Sequence, residues 1–227
     1  MFTPIEVTLR VHVLDDTLVL SKKPPLQRRV ICMTYNIYAW CQMIVLCSFI
    51  GYIVENVWLL FTKNYIDNRN MNLPFLLGYG LAILGVDLVL GTPEPSLNGI
   101  LLYFIELVVA VSIGEILLGT AVEKLCGFIY WDYSRLPLHL TRYTSLFTSM
   151  GFALIIEIFM SNFFASAMDL INRLMSPGIE IVSVILAVIL TFDFADSFIH
   201  MYKRRRQYKK WMLTIKDHRV ELRIIDR

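Results

Sequence analysis

The chain has 227 residues, 56% of them hydrophobic and 18% charged, with a mean hydropathy of +0.59. A water-soluble domain of this size buries only part of so much apolar surface, so the composition excludes an ordinary soluble fold and points to a bilayer protein. A net charge of +2 gives no footprint for nucleic acid, and the four cysteines (Cys32, Cys41, Cys47, Cys126), with no CxxC pair, make neither a disulfide framework nor a zinc site.

Residues 1–37 read as a polar tail. They carry Asp15 and Asp16 and lack a compact apolar core followed by a small-residue cleavage site, so no signal peptide is expected there. Ile5 to Val13 alternates strictly between apolar and polar residues, and so does Arg219 to Ile224 near the other end. Period two is a strand pattern, so short β-hairpins or frayed tails are expected at both ends. Between the tails, five apolar runs cover 38–61, 74–91, 98–119, 143–164 and 179–201. Each reaches the roughly 17–20 residues that a helix needs to cross the hydrocarbon core. The expected fold is all-α, a five-helix transmembrane bundle over residues 38–201. Pro74 opens the second run, Pro93 and Pro95 follow it, and Ser176–Pro177 reads as an N-cap and first helical position. Tyr35, Tyr38, Trp40, Trp58, Trp131, Tyr143 and Tyr202 cluster near the ends of the runs, as an interfacial belt does. Residues 202–227 form a basic tail, with Lys203-Arg204-Arg205-Arg206 and then Lys209-Lys210.

Five spans put the two tails on opposite sides. Fifteen of the 21 Lys and Arg residues fall in loop 1, loop 3 and the C-terminal tail, against six in the N-terminal tail and the other loops. The positive-inside rule places the first group in the cytoplasm, and so the C-terminus of a multi-pass cell-membrane protein there. The basic run serves as a stop-transfer anchor and is also suited to anionic headgroups.

The five runs contain no Lys or Arg, yet they hold Glu55, Asp87, Glu106, Glu115, Glu157, Asp193 and Asp196. A carboxylate at mid-bilayer costs about 2.5–3.5 kcal/mol on insertion scales, so such groups are protonated, paired, interfacial or in contact with water. Helical spacing puts Ser48, Gly51, Tyr52 and Glu55 on one face of the first span, Ser112, Glu115 and Gly119 on one face of the third, and Asp193, Asp196 and His200 on one face of the fifth. A polar interior built by spans one, three and five follows, with Arg69, Lys124 and Arg142 of the loops as the nearest cations. Gly78, Ala82 and Gly85 form a small-residue stripe on the second span, suited to close helix approach. Two acids and one imidazole on one helix do not close a metal shell, so no metal site is read at Asp193, Asp196 and His200.

Several blocks carry a resemblance. Ser48-Phe49-Ile50-Gly51-Tyr52-Ile53-Val54-Glu55 is one; Asn68-Arg69 through Pro74 to Tyr79-Gly80 is a second. Glu115-Ile116-Leu117-Leu118-Gly119 with Val122-Glu123-Lys124 is a third, and Tyr130-Trp131-Asp132-Tyr133-Ser134 with Pro137-Leu138-His139-Leu140 a fourth. Over about residues 40 to 200 they resemble the bacterial ABC-transporter permease proteins of type IV (CmpB-like), a family of five-span proteins. The chain looks like a diverged member. Asn70 stands where the family has glycine, Leu73 where it has glycine before Pro74, and His139 where it has asparagine; Thr148-Ser149-Met150-Gly151 replaces a Ser-x-x-Trp-Gly block.

The resemblance implies a transporter-type membrane subunit. The motif positions Glu55, Arg69, Glu115 and Asp132 are then candidates for one cytoplasm-facing site that binds a small ligand, a headgroup or a cation. Glu123, Lys124, Trp131, Arg142, Asp193 and Asp196 are candidates to support it. Asp132 could equally cap its own turn, and the ion pairs could simply tie loops to helices. No phosphate-binding G-x-x-x-x-G-K-[ST] occurs in the chain, so use of ATP needs a separate ATPase subunit. Five spans are few for a pore, which makes a homodimer plausible. A membrane-embedded enzyme acting on a lipid or isoprenoid, and a structural scaffold, are the competing readings. No cofactor motif, nucleophile–base pair or catalytic residue is read.

Overall fold

The computed structural model describes residues 35–216 and 219–225. The alternating stretch 5–13 lies outside them. The described chain is mostly helical, with helices α1 (Ile37–Lys63), α2 (Leu77–Val89), α3 (Leu97–Cys126), α4 (Leu146–Asn162), α5 (Phe164–Leu174) and α6 (Pro177–Arg204). Short strands β1 (Tyr65–Asp67), β2 (His139–Thr141), β3 (Thr144–Ser145), β4 (Trp211–Lys216) and β5 (Arg219–Ile224) lie between and after them.

Local chemistry sets the helix ends. The Asn36 side chain accepts from Tyr38 N–H to open α1, and Ser96 accepts from Gly99 N–H to open α3. Asn64, Gly127 and Arg205 close α1, α3 and α6 in the left-handed region. Pro177 sits in the first turn of α6, where a missing N–H does no harm. Helices α1, α3 and α6 are each long and apolar enough to cross a membrane; α4 and α5, bent by 55° at their junction, make a fourth when taken together.

The second and fourth predicted spans differ from their expected form. The run 74–91 is helical only over the 13 residues of α2, about 20 Å of rise against a hydrocarbon core of about 30 Å. The cause is tertiary. Leu76 N–H donates to Ser48 O of α1, a carbonyl about 22 Å back along the helix from Lys63. Residues 68–76 therefore run as irregular chain alongside α1 before the helix starts, and Pro74 disfavours helix at Leu73. The region expected as the fourth loop holds α5, which is amphipathic: Phe164 and Met168 are buried while Asp169, Asn172 and Arg173 are exposed.

Helix α1 is central, packed by α2, α5 and α6, while α3 pairs with α4. The main core joins Trp40 and Met43 of α1, Ile83 of α2, Leu107 of α3, Met160 of α4 and Phe164 and Met168 of α5. A second cluster joins Val45, Leu77 and Leu190. Outside these, large apolar side chains face outward, Phe61 (81% exposed), Val89 (78%) and Phe192 (72%) among them. That is a lipid-facing surface. The close approach of α2 to α1 uses Gly80 rather than the expected stripe: a Cβ at Gly80 would overlap Ile44 O and Ser48 Oγ, whereas one at Gly78 or Gly85 meets nothing within 4 Å.

The C-terminal alternation forms a hairpin, β4 against β5, and β1 adds to its other side, giving an antiparallel sheet of order β1–β4–β5. This ties the end of α1 to the chain after α6. Loop 1, loop 3 and the C-terminal segment thus gather at one end of the molecule. Tyr130 Oη donates to Arg69 O, Gln207 Nε2 to Tyr130 O, and Arg205 Nη1 to Leu125 O.

Candidate functional site

Two carboxylates anchor this end of the bundle. Glu55 lies eight residues before the end of α1, and Glu115 eleven before the end of α3, about 12 and 17 Å along their axes. Glu55 Oε2 accepts from Arg69 Nη2 at 2.8 Å, and its Oε1 accepts from Tyr79 Oη at 2.7 Å. Gly51, one turn before Glu55, makes the second bond possible: a Cβ there would overlap the Tyr79 ring. The same device recurs on α3. Gly119, one turn after Glu115, leaves room for the Tyr143 ring, and the next residue, Thr144, donates its hydroxyl to Glu115 Oε2. Ser149 Oγ reaches the same oxygen at 3.0 Å, and Thr144 and Ser149 hydrogen-bond each other at 2.9 Å.

Arg69 reaches Glu55 because its backbone is left-handed (φ 47°), as is that of Asn70 (φ 64°). Asparagine is the residue after glycine that best tolerates this region, which is the physical reason Asn70 can stand where the resembled motif has glycine. The buried Asp67 fixes the turn. Its Oδ1 accepts from Arg69 N–H at 2.8 Å, its Oδ2 pairs with Lys209 at 3.1 Å, and its own N–H donates to Asn56 Oδ1 at 2.9 Å. Burial disfavours charge on Arg69, but Glu55, Tyr130 and Asp67 more than offset it and hold the guanidinium protonated. Tyr133 lies near both carboxylates; burial, then Glu115 and Glu55, push its phenol well above the usual range. Burial likewise raises Tyr130.

Of the four predicted ligand residues, the structure gathers Glu55, Arg69 and Glu115 around Tyr79 and Tyr133. Asp132 stands apart on an exposed turn, where its Oδ1 accepts from Ser134 N–H at 2.9 Å. That bond, together with Arg142 and Arg135 nearby, holds its carboxyl below the usual carboxylate range. Trp131 Nε1 donates to Tyr143 O at 2.7 Å and so fixes the segment that carries Thr144. Arg142 pairs with Glu123 at 3.4 Å on the surface, and Lys124 is exposed at the end of α3. Asp193 and Asp196 turn to loop 1 rather than to the carboxylates: Leu73 N–H donates to Asp193 Oδ2 at 3.2 Å and Asn72 Nδ2 to Asp196 Oδ2 at 3.0 Å. Asp193 thus satisfies a backbone N–H that no helix takes up, and Asp196 holds the Asn72 side chain beside it.

Sequence reasoning missed Tyr133, Thr144, Ser149 and Asp67 as parts of the cluster. Tyr79 was visible in the Tyr79-Gly80 block, but nothing in its spacing joined it to Glu55. A family model described as "Putative ABC-transporter type IV" matches residues 42–198. No curated protein and no solved structure matches the chain.

Proposed function

The chain belongs to the family "Putative ABC-transporter type IV", and on that premise we propose that it is the membrane subunit of a transporter-type assembly whose Glu55, Arg69 and Glu115 form one cytoplasm-facing polar site. In this reading α1, α2 with its irregular lead-in, α3, α4 and α6 make five crossings, and α5 lies in the opposite interface. Tyr79 and Tyr133 line the site, and Asp132 shapes the loop at its rim. The ATPase is a separate subunit, and a second copy completes the pathway.

One observation carries the site. Glu115 is bound by two hydroxyls, and no basic side chain lies within ion-pair distance of it among the described residues. A carboxylate in apolar surroundings without a counter-ion takes up a proton, a cation or the cationic part of a ligand. Glu55 differs, because Arg69 already neutralises it. Arg69 Nε, buried and without an acceptor among the described residues, leaves one donor for an anionic or carbonyl group. A polar ligand with one group of each kind fits this pairing.

Carbodiimide labelling tests the reading, since the reagent modifies protonated carboxyls in apolar sites. In proteoliposomes Glu115 is expected to label at neutral pH, and Glu115→Gln to abolish both labelling and complementation of a deletion strain at wild-type yield. A purely structural role would instead show as lost folded protein, because the glutamine amide oxygen accepts more weakly than a carboxylate from Thr144 and Ser149. Full complementation by well-expressed Glu55→Gln, Arg69→Gln and Glu115→Gln would overturn the functional site.

A further inference from the structure

The C-terminal sheet has two unlike faces. The register sets Trp211 opposite Ile224, Leu213 opposite Leu222 and Ile215 opposite Val220, so one face of the hairpin is wholly apolar. Ile66 of β1 joins it opposite Leu213. The other face is mixed, with Asp67, Thr214, Glu221 and Arg223 on it. Strand β5 is open on both sides. Val220 is 65% exposed, Leu222 59% and Ile224 79% on the apolar side, and the side chains of Glu221 and Arg223 are 61% and 67% exposed on the polar side. Water suits the polar side; the apolar side needs a cover.

The contacts with α1 set the depth of that face and its direction. β1 runs back beside the end of the helix: Asp67 N–H donates to Asn56 Oδ1 at 2.9 Å, and Tyr52 Oη donates to Asp67 O at 3.1 Å. Asp67 therefore stands about 10 Å before the end of α1. Trp211, one residue beyond the Met212 that pairs with Asp67, stands slightly deeper. From Trp211 to Ile215 the apolar rows cover about 13 Å, and on α1 the stretch from Ile53 to Phe61 covers about 12 Å at the same level. Helical spacing puts Ile50, Ile53, Val57 and Phe61 on one stripe of α1, and all four are exposed. Asn56 lies between that stripe and the side bearing Glu55. Asp67 turns its carboxylate to the Glu55 side, where it accepts from the Arg69 N–H. Ile66 alternates to the opposite side, which is the side of the stripe. The apolar sheet face thus continues the lipid-facing surface of α1.

We infer that the apolar face of the β1–β4–β5 sheet is a membrane-contact surface, lying in the interfacial layer of the leaflet on that side with Leu222 and Ile224 against lipid while Glu221 and Arg223 face water. Lipid is already the neighbour of Ile53, Val57 and Phe61 at this depth, so the face is covered without a partner being recruited. Trp211, at its deep edge, is the residue type that the membrane–water interface favours. The contact reaches the carboxylate cluster through the backbone. β1 leads directly into the turn that carries Arg69, and Asp67 at its end fixes that turn. A sheet seated on the bilayer therefore holds loop 1 from outside, as the Arg69–Glu55 pair holds it from within.

The test places single nitroxide labels on the full-length chain in nanodiscs of phosphatidylcholine and phosphatidylglycerol. Leu222→Cys and Ile224→Cys report on the apolar face, and Glu221→Cys and Arg223→Cys on the polar face, in a chain whose native cysteines are replaced by serine. The readout is the collision rate of each label with oxygen, which partitions into lipid, and with a water-soluble nickel complex. The ratio of oxygen to nickel collisions is expected to be several-fold higher at Leu222 and Ile224 than at Glu221 and Arg223. Equal ratios at all four positions would put both faces in water and overturn the inference. Immobilised labels at Leu222 and Ile224, shielded from both reagents, would mean a protein cover and overturn it as well; spectral broadening relieved by unlabelled chain would identify that cover as a second copy. If the cysteine-free chain fails to fold, tryptophan fluorescence of the wild type and of Trp211→Phe decides. The emission lost in Trp211→Phe should be the part quenched by lipid brominated near the headgroup end of its acyl chains, and an unquenched Trp211 would refute the membrane contact.

Discussion

Arg69→Gln isolates the ion pair that holds loop 1 in the bundle. The side chains of Arg69 and Glu55 are 17% and 22% exposed. Removing one member of a buried pair costs about 3–5 kcal/mol, because the other is left charged and dry. Residual exposure and the Tyr79 bond to Glu55 lower this, to about 2–3 kcal/mol for Arg69→Gln. Asp67 suffers less, since Arg69 Nη1 is 3.9 Å away whereas Lys209 is at 3.1 Å. Glu55→Gln keeps an acceptor for Tyr79 and leaves Arg69 near Asp67, so a cost of about 1–2 kcal/mol is expected. With both replaced, neither charge remains to be desolvated, and the double variant should recover a coupling of about 1–3 kcal/mol relative to the sum of the single changes. Unfolding in mixed micelles with increasing dodecyl sulfate, followed by tryptophan fluorescence, measures all four corners of the cycle. Additivity within about 0.5 kcal/mol would show that the two side chains do not interact and would refute the reasoning.

Three other outcomes follow from the same geometry. Gly51→Ala and Gly119→Ala should each destabilise the protein by about 1–3 kcal/mol, because the new Cβ meets the Tyr79 or Tyr143 ring, whereas Gly78→Ala should be neutral or stabilising; equal effects at all three positions would contradict the packing. Tyr133 has a phenol raised above its ordinary value of 10.0, so the unfolded chain ionises first. Stability is then complete below pH 10 and falls as pH rises above it, and Tyr133→Phe should make that alkaline loss shallower, as read by unfolding temperature against pH. In intact cells, cysteines placed at Arg135 and Gln207 should not react with a membrane-impermeant maleimide, since both lie on the side to which the basic bias assigns the cytoplasm; labelling of either from outside would reverse the orientation.

The sequence by itself determined the class of protein and its longest elements. Composition requires a bilayer, and the apolar runs containing α1, α3 and α6 are continuous enough that local hydrophobicity decides them. Ser176–Pro177 and the strand alternation at Arg219 to Ile224 are local signals too, and both elements stand where they were read. The candidates Glu55, Arg69 and Glu115 were legible because carboxylates in apolar runs are costly and few cations lie near them. Only the tertiary structure decided the rest. α2 is short because residues 68–76 take their partners from Ser48, Asp193 and Asp196, the two acids more than 100 positions away. β1 is a strand because the C-terminal hairpin pairs with it. Glu115 is held by Thr144 and Ser149, 29 and 34 positions on. These are contacts between segments that share no period and no local preference, so no window of sequence contains them.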